Sequence, residues 1–228
     1  MRRRLLSLGA AALGVALIGG VLASNWRQPR SLPAEGTVET LADYGLVPDF
    51  RLTERGGSTV TLAGLRGKVW LANFIYTECT ETCPLQSLQV QRLQDEFAGA
   101  RDLRFVSITV DPSHDTPEVL QRYAERYGAD PERWLFLTGP KPAIHALARD
   151  GFKLGVSDAG PAAWSGVPSW PLGPGPAFAS HGSGGLILHS ARFVLVDRQA
   201  RIRAYHRTDD PDSLARLRSN LRALLSGG

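Results

Sequence analysis

From residue 47 onward, apolar residues fall into two patterns that alternate along the chain: short continuous runs, and runs with helical spacing. The longest continuous run, Val69-Trp70-Leu71-Ala72-Asn73-Phe74-Ile75-Tyr76, has the length and the aromatic content of a buried strand. Asp49 to Thr53 and Thr59 to Leu62, separated by Gly56-Gly57, predict an opening hairpin. After Pro84, the positions Leu85, Leu88, Val90, Leu93 and Phe97 predict a helix with proline in its first turn. Leu103 to Val110 predicts a second central strand. The loop Asp111-Pro112-Ser113-His114-Asp115-Thr116-Pro117-Glu118 ends as a helix start, with Thr116 as N-cap and Pro117 at the first helical position. That helix runs to about Tyr127 and stops at Gly128. Trp134 to Leu137 predicts a third strand and Pro142 to Arg149 a short helix. Phe193 to Val196 and Ile202 to Tyr205 alternate around Asp197-Arg198-Gln199-Ala200 as a hairpin. Asp212 to Leu225 closes with an amphipathic helix. Strands alternating with helices and ending in a hairpin predict an α/β sandwich on a mixed central sheet.

Two stretches stand outside this pattern. Residues 1–24 hold Arg2, Arg3 and Arg4 and then an apolar segment from Leu5 to Ala23. The segment is just long enough for a bilayer, which needs ~20 residues, and the arginines before it put the rest of the chain outside the cytoplasm. We read it as a retained membrane anchor rather than a cleaved signal peptide, which Val21-Leu22-Ala23 would also permit. Residues 25–46 read as a polar linker and 47–228 as the domain. Within the domain, residues 157–185 are rich in glycine, proline, alanine and serine, with Trp164, Trp170 and Phe178 interspersed. This insertion shows no periodicity; the aromatics either dock a partner or anchor the loop onto its own domain.

Composition changes little: 43% hydrophobic and 21% charged residues are ordinary for a globular protein. The net charge of +4 belongs to the tail. Without the five arginines of residues 1–30, 21 basic residues remain against 22 acidic ones. A domain so balanced shows no footprint for nucleic acid.

The chain has two cysteines, Cys79 and Cys83, in Cys79-Thr80-Glu81-Thr82-Cys83-Pro84, where the longest strand hands over to a helix. Their placement points to a redox couple or a soft-metal site. A scaffold staple is the alternative, but a bridge closing so short a loop restricts few unfolded conformations. A helix start near Pro84 would lower a thiol pKa and ease the proton loss that metal binding or nucleophilic attack requires. An extracytoplasmic compartment allows the pair to exist as a disulfide.

Paired cysteines after the first central strand of an α/β domain resemble the thioredoxin superfamily. The three-residue spacing narrows this. Phe74 to Pro84, together with Val110 to Glu118, resembles the Sco/SenC family of membrane-anchored copper-binding proteins that assist assembly of the copper A centre of cytochrome c oxidase. The resemblance covers about residues 47–225. It implies a thioredoxin-like three-layer sandwich with a mixed central sheet, an N-terminal hairpin and one N-terminal transmembrane helix. It also implies a copper site in which a distant histidine followed by serine joins the cysteines; His189-Ser190 occupies that place. Leu188 stands where the family often has an aspartate. Cu(I) favours thiolates, and two thiolates with an imidazole also accommodate Cu(II). Zinc would want a fourth ligand that the sequence does not name.

The implied role is a copper metallochaperone at the inner membrane, its domain on the periplasmic side. Its implied partners are the copper A subunit of the oxidase and a copper donor protein or thiol reductant. Two rivals use the same cysteines: a thiol-disulfide oxidoreductase, with Cys79 and Cys83 as a catalytic redox pair, and a redox or copper sensor. His181 is the alternative ligand. His114 reads as a capping or solvent-facing residue, and His145 and His206 as surface residues of a helix and a strand. Asp111 and Asp115 read as organisers of the loop and helix start rather than as acid–base catalysts.

Overall fold

The computed structural model describes residues 39–154, 179–181, 185–187 and 191–227. In chain order the elements are β1 (Arg51–Glu54), β2 (Thr59–Thr61), α1 (Leu62–Leu65), β3 (Val69–Ile75), α2 (Thr82–Glu96), β4 (Leu103–Thr109), α3 (Pro117–Arg126), β5 (Trp134–Thr138), α4 (Lys141–Ala146), β6 (Ala179–His181), β7 (Gly185–Ile187), β8 (Arg192–Val196), β9 (Ile202–Arg207) and α5 (Pro211–Ser226). Seven strands form one sheet in the order β2-β1-β5-β4-β3-β8-β9. The pairs β3–β4 and β4–β5 are parallel; β1–β2, β1–β5, β3–β8 and β8–β9 are antiparallel. The mixed sheet and opening hairpin expected from the pattern are present.

β3 is buried along its whole length because it is central and covered on both faces. On one face Trp70 and Phe74 meet Phe152 edge-on, at ring-centroid distances of 5.9 and 5.4 Å. Phe152 follows a π-helical turn (Leu147–Gly151) that continues α4. On the other face Asn73 meets α2, Ser87 of α2 meets Tyr123 of α3 at 2.9 Å, and Glu96 of α2 pairs with Arg218 and Arg222 of α5. The three layers are therefore α4, the sheet, and α2 with α3 and α5.

Capping sets the helix boundaries. Thr116 Oγ accepts from Val119 N at 3.4 Å with Pro117 next, as the sequence predicts, and Asp210 accepts from Asp212 N at 2.9 Å to start α5. Leu62 opens α1 rather than extending β2, because Thr61 caps that turn through Gly64 N at 3.3 Å. α2 begins at Thr82, earlier than Pro84, so Cys83 lies inside its first turn. Between β8 and β9, Asp197 Oδ1 accepts from Gln199 N and Arg201 N, holding a turn in which Ala200 adopts φ 64°. The stretch 157–185, read as aperiodic, ends in an antiparallel pair, Ala179↔Ile187 to His181↔Gly185. Trp164, Trp170, Phe178, Leu5 to Ala23 and the linker to residue 38 lie outside the described residues. Among the described residues no helix is long and apolar enough to cross a membrane.

Two histidines expected at the surface are buried. His145 reaches inward from α4, its Nε2 lying 3.2 Å from the Val110 carbonyl. His206 is fully buried because β9 is covered by α5; its Nε2 lies 3.2 Å from Asn220 Nδ2, and Glu39 sits nearby, held by Ser213 and Arg216. Sequence alternation cannot reveal that cover, since Tyr205 on the opposite face is buried too, edge-on against Tyr44.

Burial holds His206 neutral, with its pKa depressed from 6.5 to about 4. The stability tied to the neutral ring is complete above the unfolded value and is lost as pH falls through the folded one. By linkage it amounts to about 3 kcal/mol. We expect the thermal midpoint to fall steeply as pH drops from 6.5 to about 4. In His206→Leu, where Asn220 keeps its bond to the Glu39 carbonyl, the slope should be much shallower. An equal slope in the variant would show that other groups carry the acid sensitivity.

Candidate metal and redox site

The loop Tyr76 to Glu81 leaves the C-terminal end of β3 and turns at once, with Cys79 N donating to the Tyr76 carbonyl at 3.2 Å. This folds Cys79 back over the start of α2. The two cysteines are reduced and buried, Cys79 5% exposed and Cys83 fully covered. Glu81 sits at the N-cap but makes no capping bond, so the helix start lacks the usual oxygen acceptor. Cys79 Sγ fills that role, accepting from Cys83 N at 3.4 Å, and it also lies 3.7 Å from Thr82 Oγ. A sulfur facing open helix amides sits where negative charge is favoured.

The two sulfurs differ in consequence. Its hydrogen bond to Cys79, and then its burial, push the Cys83 thiol far above the ordinary range. The helix start was expected to ease proton loss; for Cys83, buried beneath a neighbouring sulfur, the opposite holds. Burial, and then the hydrogen bond to Cys79, likewise hold the Tyr76 phenol protonated. The Tyr76 phenol, which the sequence showed only as the last apolar letter of a strand, thus stays neutral beside Cys79. The reduced pair thus has one sulfur, Cys79, surrounded by donors, and one, Cys83, that keeps its proton.

A second loop braces the first. Asp115 is fully buried between the C-terminal ends of β3 and β4. Its carboxyl oxygens accept from Thr77 N at 3.1 Å, Thr77 Oγ at 2.6 Å and Thr109 Oγ at 2.5 Å. His114 stands outside, half exposed, with Nδ1 3.0 Å from Asp115 and Nε2 3.1 Å from Glu78, the residue before Cys79. The hydrogen bond to Asp115, with help from Glu78, raises the His114 pKa. Asp111 caps the loop through its carbonyl, which accepts from His114 N and Asp115 N. The expectation that Asp111 and Asp115 organise this loop holds. What the sequence did not show is that Asp115 reaches across to the cysteine loop.

Among the described residues, no group of three metal-binding side chains gathers around the cysteines. His189 lies outside the described residues. His181 is the last residue of β6. Exposed on α2, the helix that carries Cys83, are Leu85 and Leu88, at 59% and 39%.

Because Asp115, itself fully buried, accepts three hydrogen bonds from Thr77 and Thr109, Asp115→Ala should lower stability by on the order of 3 kcal/mol. It should also free the cysteine loop, so that Cys79 in the reduced protein is alkylated faster than in the wild type. Urea unfolding and iodoacetamide labelling read the two effects. Unchanged alkylation alongside lowered stability would mean that Asp115 does not hold the loop.

Comparison with known proteins agrees with this geometry. A family model described as SCO1/SenC matches residues 38–225. The SCO1 protein homolog of Bacillus subtilis is 36% identical over 109 residues, which cover 47% of this chain and 56% of that protein. A protein of Stutzerimonas stutzeri, copper-binding by name, is 29% identical over 105 residues, 45% of this chain and 50% of its own length. The chain spans about half the length of these curated relatives. The solved structure of BsSco, described as a member of the Sco family of cytochrome c oxidase assembly proteins with a disulfide switch, superposes with a TM-score of 0.63 at 25% identity. That match covers 82% of this chain and 97% of the other. With the family model spanning β1 to α5 and both cysteines, the chain belongs to the SCO1/SenC family.

Proposed function

We propose that this protein is a membrane-anchored copper metallochaperone that holds copper through Cys79, Cys83 and His189 and assists assembly of the copper A centre of cytochrome c oxidase. The observation that carries this reading is the pair of buried thiols at the start of α2, with Cys79 Sγ accepting from the amide of Cys83. Two adjacent sulfurs suit Cu(I), and an imidazole added to them suits Cu(II). Both thiols must lose their protons to bind, so copper competes with the proton that Cys83 retains. Oxidation of the pair to a disulfide removes two electrons and two protons and leaves no thiolate to ligate. Copper loading therefore requires a reduced pair.

The family membership and the copper-binding name of a relative support the cargo; the oxidase assembly role of BsSco supports the destination. The partners in this reading are the copper A subunit and a copper donor or thiol reductant. The anchor is Leu5 to Ala23, with the domain on the periplasmic side of the inner membrane, a reading that rests on Arg2, Arg3 and Arg4 ahead of that segment.

A second reading has its own observation. One donor-surrounded sulfur beside one protonated sulfur is the asymmetry that thiol–disulfide exchange uses. Cys79 would attack a partner disulfide to give a mixed disulfide. Cys83, after losing its proton, would displace the partner's second thiol and leave the Cys79–Cys83 disulfide, which needs an outside reductant to reset.

Copper titration of the reduced, detergent-solubilised full chain separates the two. We expect one copper per chain, with a thiolate-to-Cu(II) absorption band that His189→Ala abolishes and Cu(I) binding that survives this change. Failure of the reduced wild type to retain copper would sink the chaperone reading and leave the exchange chemistry.

A further inference from the structure

Two loops leave the C-terminal ends of neighbouring parallel strands and lie side by side. Tyr76 to Glu81 follows β3 and carries Cys79; Val110 to Thr116 follows β4. Asp115 ties them from inside, through Thr77. His114 ties them from outside, and it reaches the cysteine loop one residue closer to Cys79. Its Nε2 lies 3.1 Å from Glu78 Oε1; its Nδ1 lies 3.0 Å from Asp115 Oδ1 and 3.5 Å from Thr77 Oγ. The His114 and Glu78 side chains are half exposed, whereas Asp115 is shut away from water.

The partners fix the state of the ring. A carboxylate only accepts, so Nδ1 must donate to Asp115 and Nε2 to Glu78. A neutral imidazole has one N–H and satisfies one of them, leaving a nitrogen lone pair facing a carboxylate oxygen at the other. The double bridge therefore belongs to the imidazolium. Among the described residues, the charged groups facing the ring are Asp115 and Asp111 on its own loop and Glu78 on the other. All are acidic, and with the bond to Asp115 foremost they raise its pKa. The neutral ring keeps its bond to the buried carboxyl, where an unmatched acceptor is costly. It gives up the bond to exposed Glu78, which water replaces.

The consequence falls on Cys79, the next residue after Glu78. With Thr77 held from inside and Glu78 from outside, the loop turns Cys79 inward to 5% exposure. A sulfur so covered meets copper or a partner disulfide only when the loop parts, and parting it means breaking the outer bridge. We propose that His114 is a positioning residue of the cysteine loop, a clasp that holds Glu78 when the ring is charged and so limits access to Cys79. The proposal rests on the role that Cys79 has in both readings above, as the sulfur that meets copper or a disulfide, and requires no choice between them. Because the ring's pKa is raised, the clasp is complete below the ordinary histidine value of 6.5 and is lost as pH rises through the higher value of the folded protein. Access to Cys79 therefore opens on the alkaline side, in addition to the ordinary gain of thiolate.

The experiment takes the reduced, detergent-solubilised full chain as wild type, His114→Ala, Glu78→Ala and the double variant. Iodoacetamide labelling of Cys79 is followed by mass spectrometry from about pH 5.5 to about pH 9, a range that brackets histidine. Each rate is divided by the thiolate fraction, read from ultraviolet absorbance, which removes the direct effect of the lost charges on the thiol. At the acidic end we expect the rate per thiolate to be about threefold higher in each single variant than in the wild type, the scale of an exposed ion pair. The difference should vanish at the alkaline end. The double variant should match either single one, because both remove the same contact. By NMR the His114 ring should titrate above 6.5 in the wild type, at the midpoint of that convergence, and lower in Glu78→Ala. Glu78→Ala leaves Asp115 and its bonds untouched, so it carries the test if His114→Ala does not fold. Single variants that label no faster than the wild type, or a ratio to wild type that is the same at every pH, would overturn the clasp and leave both readings of Cys79 standing. A Cys79 that resists labelling in all four proteins while Cys83 reacts would fail the role of Cys79 itself, and the clasp with it.

Discussion

The cysteine end of the molecule depends on one buried carboxyl. Asp115 enters from the β4–α3 loop and takes its bonds from Thr77, in the β3–α2 loop, and from Thr109, at the end of β4. Two crossover loops leaving adjacent parallel strands are thereby tied at the point where they diverge. The carboxyl ends of parallel strands are where α/β folds place their chemistry, because loops converge there and helix starts point at the gap. Such loops would ordinarily be the mobile part of the fold. Here the loop before Cys79 is held by a side chain with no exposure to water, and an unmatched carboxyl in that position would be so unfavourable that the loops have little freedom to part.

With the loop held, Cys79 completes the helix. α2 has no oxygen at its N-cap, and the amide of Cys83 is satisfied by sulfur instead. The sulfur that would bind metal or attack a disulfide is thus also a structural acceptor. A disulfide sulfur accepts hydrogen bonds less well than a thiolate, so oxidation and capping pull on the same atom. The same crowding explains the inequality of the two thiols. Cys83 lies beneath Cys79 with its own sulfur covered by the core, and a second negative charge there would face the first at close range.

Most of the architecture was legible in the sequence because it is written in local signals. Thr116-Pro117 marks a helix start, and the apolar runs of β3 and β4 mark central strands. The cysteine pair was legible as chemistry from its spacing and its place after a strand. What was not legible depends on contacts between distant residues. Nothing near His206 announces that α5 will cover it, and nothing near Asp115 announces Thr77, 38 positions away. The start of α2 was misjudged by proline because the cap is a cysteine sulfur, which no cap preference anticipates. Asn73 was visible as the odd polar residue in an apolar run, but its meaning required the register that sets Ser107 beside it.

That register returns the argument to why the core contains polar groups at all. Apolar residues of similar size at Asn73, Ser107 and Gln86 would satisfy the hydrophobic pattern and remove every buried donor and acceptor from this face of the sheet. Networks of this kind contribute little net stability when complete and destabilise strongly when incomplete, so their physical effect is to forbid alternatives. Apolar packing tolerates a helix that slides or turns by a fraction of an ångström; the chain of bonds from Trp134 through Ser107, Asn73 and Gln86 to Thr208 tolerates it far less. A metal or redox pair is the part of this fold for which such a displacement matters, since sulfur atoms must meet their partner within a narrow distance. Through Gln86 these bonds reach α2 one turn after Cys83 and pass on to Thr208 at the edge of the sheet, so the helix that carries Cys83 is fixed to the strands beneath it.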